Sequence, residues 1–84
     1  MSLTQSPLNL GHLNEKQQAM LMVLLHAQKE QELDGFSAAN LLLSLYDVRV
    51  DWHETSAALE LMSRRGQAWE TGLDRDRMNR YRIL

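Results

Sequence analysis

The chain has 84 residues, 44% of them hydrophobic and 24% charged, with a formal net charge of −2 and no cysteine. That balance excludes wholesale disorder, a disulfide framework, thiolate metal sites and thiol catalysis, and the length fits one modest core. No apolar run reaches the roughly 18 residues of a membrane span and no cleavable leader opens the sequence, so a cytoplasmic protein without a membrane partner is expected.

Residues 1–12 combine polar residues, the only proline and three irregularly spaced leucines (Leu3, Leu8 and Leu10), and read as an N-terminal arm before a folded domain at 13–84. Asn14 followed by Gln17 is a capping pattern, and the helix formers beyond it predict a first helix to about Lys29 or Glu30. Its middle, AMLMVLLHA, is apolar on nearly every side. Met20, Leu21, Leu24 and Leu25 can face the chain's own core, which leaves Met22 and Val23 directed partly elsewhere. A helix apolar all round needs cover on both sides. In so small a domain a second subunit is its natural source, giving a homodimer seam of Met20, Met22, Val23 and His26.

KEQELDG reads as a charged exit, after which Ser37 is the expected N-cap of a short second helix. Leu41, Leu42 and Leu45 share its expected inner face, and YDVRV links it to the next element with Val50 anchored inward. Asp51 and Glu54 then form a capping-box pattern. Trp52, Thr55, Leu59 and Met62 fall on one stripe of the helix that follows, and Gly66 supplies its left-handed stop. The segments QAWETG and RMNRYRIL flank LDRD and predict a β-hairpin. Alternation in its second strand places Arg80 and Arg82 on one face, Tyr81 and Ile83 on the other.

The expected fold is therefore mostly α with a small β-hairpin: three helices plus a wing. From Phe36 to Leu84 the sequence resembles the winged helix-turn-helix superfamily of small bacterial regulators, through FSAANLLLSL, AALELMSRRG, AWETG and MNRYRIL. It looks most like the pilus-operon regulators, and Tyr81-Arg82-Ile83-Leu84 is similar to the last wing strand of ArsR-type repressors. The resemblance matches Leu59 and Met62 to two core leucines and Gly66 to the glycine before the wing. It also implies that Ser56, Ala57 and Glu60 turn toward the major groove. Gln67 departs from the pattern, standing where an apolar residue is usual.

Those features imply a DNA-binding transcriptional regulator, with helix 51–65 in the major groove and the 67–84 wing on the backbone or minor groove. The candidate contacts are His53, Ser56, Ala57, Glu60 and Arg64 on the helix face and end, with Arg75, Arg77, Arg80 and Arg82 on the wing. Six of the nine Lys and Arg residues (Arg64, Arg65, Arg75, Arg77, Arg80 and Arg82) lie in this closing stretch, so an acidic body carries one cationic end. The competing class is a winged-helix protein-interaction module, since Trp52, Trp69 and Tyr81 are residue types enriched at binding hot spots. Trp52 falls on the inner stripe and reads as core, whereas Trp69 fits either role. An enzyme is the least supported class: His12, His26 and His53 are far apart, and no metal-ligand spacing, phosphate loop or nucleophile elbow occurs. No cofactor or metal is implied.

Overall fold

In the computed structural model, residues 15–84 are described; the predicted arm at 1–12 and the Asn14 cap lie outside them. The order is α1 (Glu15–His26), β1 (Glu32–Leu33), α2 (Gly35–Tyr46), α3 (Trp52–Arg64), β2 (Ala68–Leu73) and β3 (Asn79–Ile83). The strands form an antiparallel sheet in the order β1-β3-β2. This is a winged-helix-like architecture.

Local chemistry places α3. The Glu54 N–H donates to Asp51 Oδ1 at 3.0 Å and the Asp51 N–H donates back to Glu54 Oε1 at 2.9 Å, so both arms of the capping box are made. At the other end Gly66 adopts a φ of 77°. The Gln67 N–H donates to Met62 O at 2.8 Å and the Gly66 N–H to Ser63 O at 3.2 Å, a Schellman motif that reverses the chain into β2. Gln67 occupies the position where an apolar contact usually closes this motif. It is half-buried, and its Oε1 finds no partner among the described residues.

One core joins all the layers. Leu21 and Leu25 of α1, Ala38 and Leu42 of α2, Ala58, Leu59 and Met62 of α3, and Tyr81 and Ile83 of β3 are buried together. Val48 and Val50 of the connecting link pack partly against them, as the inward anchoring of Val50 required.

Several expectations need correction. The first helix stops at His26, earlier than Lys29 or Glu30, because a turn follows in which Glu30 takes a φ of 68°. That turn brings Glu30 and Gln31 to β3, where the Glu30 N–H donates to Ile83 O and the Ile83 N–H to Gln31 O. The charged exit thus contains a strand, β1. Asp34, not Ser37, caps α2: its carboxylate accepts from the Ser37 N–H at 2.7 Å. The helix starts earlier than expected and Ala38, in its first turns, is in the core; Leu45, on the same stripe but in the last turn, is exposed rather than inward. On α1, Met22 is only 6% exposed and borders a cavity with Arg65 and Gln67, whereas Met20, expected inward, is 44% exposed. Of the residues expected at a dimer seam, Met20 and Val23 are exposed, His26 is half-buried and Met22 belongs to the chain's own core.

α2 ends on Asp47, a non-glycine residue held at φ 55° and ψ 33° while its N–H caps the Leu43 carbonyl at 3.0 Å. Its contact with Arg49 is long, 3.8 Å, and both side chains are more than 80% exposed, so the pair contributes little. Asp47→Gly is expected to stabilise the fold by about 0.5 kcal/mol, with relief of the left-handed strain outweighing the added freedom of the unfolded chain. Urea unfolding checks this, with an unchanged or lower midpoint counting against it.

Candidate nucleic-acid interface

The capping box fixes where α3 begins and therefore which of its residues turn away from the core. Thr55, Ala58, Leu59 and Met62 are buried; His53 and Glu60 are exposed, and Ser56 and Ala57 are half-buried. The hairpin runs along this outer side. Together they form a cleft of about 340 Å³, with His53, Ser56, Ala57 and Glu60 on one wall and Arg77, Met78 and Asn79 on the other. Trp52 closes one end, its ring packed against Phe36 at 5.1 Å and stacked on His53 at 3.7 Å between centroids. Trp52 is thus half-buried at the surface, rather than fully inside as its place on the stripe suggested.

The hairpin tip is held by its own hydrogen bonds. Asp74 Oδ1 accepts from the Asp76 and Met78 N–H groups, each at 2.9 Å, and the Asp74 N–H donates to Met78 O at 3.0 Å. A hydrogen bond shared with the Asp34 carboxyl, together with the Met78 and Asp76 N–H groups and the nearby Arg80 charge, holds the Asp74 carboxyl below its ordinary value. Arg77 sits at φ 62° in this loop, and Arg75 and Arg77 form no ion pair among the described residues.

The remaining arginines divide. Arg64 is paired to Glu60 at 2.8 Å across one helical turn, a solvent-exposed pair that offsets part of the charge of the last cation of α3. Arg80 reaches across the sheet to Glu32 at 3.1 Å. Tyr81 and Ile83 point into the core, and burial pushes the Tyr81 phenol up from its ordinary value. Arg80 and Arg82 consequently occupy the sheet face turned away from α3. Of the wing arginines, Arg77 alone lines the cleft with the α3 residues. Arg75 instead borders a second, open groove with Asp34, Asp74 and Arg80.

Comparison with protein-family models, with curated proteins and with solved structures finds no match for the chain. Among the described residues, no group of three His, Cys, Asp or Glu could hold a metal, and no helix is long and apolar enough to cross a membrane. Sequence reasoning did not anticipate Met78 and Asn79 as cleft residues or Glu32 as the partner of Arg80. The first two follow from the tip conformation. Glu32 follows from a strand of two residues, too short to show an alternating pattern.

Proposed function

We propose that the protein binds double-stranded DNA as a winged-helix transcriptional regulator. The observation that supports this best is the position of Arg77, a cation that forms no ion pair among the described residues, in one cleft with the outward residues of α3. In this reading the first half of α3 enters the major groove. His53 and Ser56 meet base edges, Ala57 permits close approach, and Glu60, steadied by Arg64, accepts from a cytosine amino group. Arg75 and Arg77 then hold the adjacent backbone or minor groove. A homodimer joined through the exposed Met20 and Val23, with His26 beside them, would present two such helices to two half-sites.

Duplex titrations across a salt series test the reading. Affinity is expected to fall steeply as salt rises, and Arg75→Ala combined with Arg77→Ala should flatten the log–log slope by about 0.9 for each phosphate no longer neutralised. Absence of binding at low ionic strength, or an unchanged slope in the double variant, would transfer the preference to the protein-interaction module.

A further inference from the structure

The sheet has a second face, turned away from α3, that the DNA reading does not use. Trp69 lies there, 66% exposed and directly opposite Arg82 across the β2–β3 ladder. No other aromatic ring packs against it among the described residues. Arg82 is exposed and forms no ion pair among the described residues; Glu32, in register with it across the β1–β3 ladder, is engaged by Arg80. The next position outward is Gly72, opposite Arg80, where an added Cβ would meet nothing within 4 Å. On the other side Leu84 is 45% exposed, and Lys29 Nζ donates to its carbonyl at 3.0 Å. Glu70 is in register with Tyr81 across the ladder, and at the edge of β2 it borders one groove with Trp69 and Leu84.

This is an exposed indole with a guanidinium free of ion pairs across the ladder, and at the rim an ammonium held by Leu84 O and His26 Nε2. We infer that this outer sheet face binds an unpaired nucleobase of single-stranded nucleic acid, the base stacking on Trp69 and the adjacent phosphate meeting Arg82. Aromatic side chains accept any base on their π face, and cations beside them track the backbone. A protein anchor would instead need an apolar rim that excludes water around the indole, whereas apart from Leu84 the groove beside Trp69 is lined by small or polar residues, Ser63, Gly66, Ala68 and Glu70. The assignment stands on residues separate from the α3 cleft, so it can fail or hold independently of duplex binding.

The full chain is titrated at low ionic strength with oligothymidylate, using labelled strand for anisotropy and unlabelled strand for tryptophan emission. Saturable binding with partial quenching is expected. Trp69→Ala should abolish the quench and weaken strand affinity about tenfold or more, while leaving duplex affinity in place. Trp69→Phe, which keeps an aromatic face, should retain most of the affinity. Arg82→Ala should reduce the salt slope for the strand by about 0.7. Absence of strand binding, or equal affinity in Trp69→Ala, overturns the proposal. An emission change driven by protein concentration alone, without response to the strand, assigns the indole to a second copy and overturns it as well.

Discussion

Gly35→Ala is expected to destabilise the protein by about 2–3 kcal/mol, a drop of roughly 10–20 °C in Tm for a chain of this size. Helix propensity alone predicts the opposite sign, because alanine is favoured over glycine inside a helix by about 1 kcal/mol. Packing decides the outcome. Gly35 opens α2 where that helix crosses the start of α3, and a Cβ there would overlap Ser56 Oγ, lie 2.7 Å from Trp52 O and approach Met78 Cε to 3.3 Å. The serine hydroxyl can rotate and the methionine can bend away. The Trp52 carbonyl belongs to the first turn of α3 and cannot move without the helix, so α2 and α3 must separate. The same displacement would disturb Ser56 and Met78, both of which line the α3–wing cleft. Adding Ser56→Ala to the variant should restore only a minor part of the loss, since it removes the soft clash and leaves the backbone one. Thermal unfolding gives the answer, and a midpoint equal to or above the parent's would show that the crossing has more room than these distances indicate.

That joint marks the boundary of what the sequence could convey. α3 was legible because its signals are local: Asp51 and Glu54 are three residues apart, the buried stripe repeats at helical spacing, and Gly66 closes the element. The hairpin was legible for the same reason, since alternation along RMNRYRIL already separates Tyr81 and Ile83 from the arginines. The start of α2 was not. Asp34 and Ser37 both satisfy the local preferences of an N-cap, and the choice between them depends on β1 pairing with β3, a contact between residues distant in the chain. Ala38, Leu42 and Leu45 share one stripe of α2, but the core reaches only its first part: Ala38 and Leu42 are buried, whereas Leu45, in the last turn, is exposed. The outer residues of α3 could be named for the candidate site because the stripe fixes its complement. Arg77 could not be distinguished from Arg75 in this way, because its approach to α3 depends on a left-handed backbone inside the Asp74 loop.

Thr55→Val should cost about 1–3 kcal/mol, although it conserves shape and exchanges a hydroxyl for a methyl in a fully buried position. Thr55 Oγ1 lies 2.6 Å from Gly35 O, closer than its alternatives at Trp52 O, 3.1 Å, and Asp51 O, 3.3 Å. The hydroxyl has one proton, and the shortest contact is the one that links two helices. A methyl placed there has no proton to give and needs more room than a hydrogen-bonded oxygen, so the substitution loses the bond and pushes α2 outward in one step. Thr55→Ser separates these effects: it keeps the donor, removes only the branch methyl, and should retain most of the stability that Thr55→Val loses. The two substitutions at this crossing share partners, so Gly35→Ala and Thr55→Val should be non-additive, the second costing less once α2 has already moved. Urea midpoints for the four members of that cycle give the coupling directly. Full additivity would mean that Thr55 and Gly35 stabilise the crossing independently, which the 2.6 Å contact between them argues against.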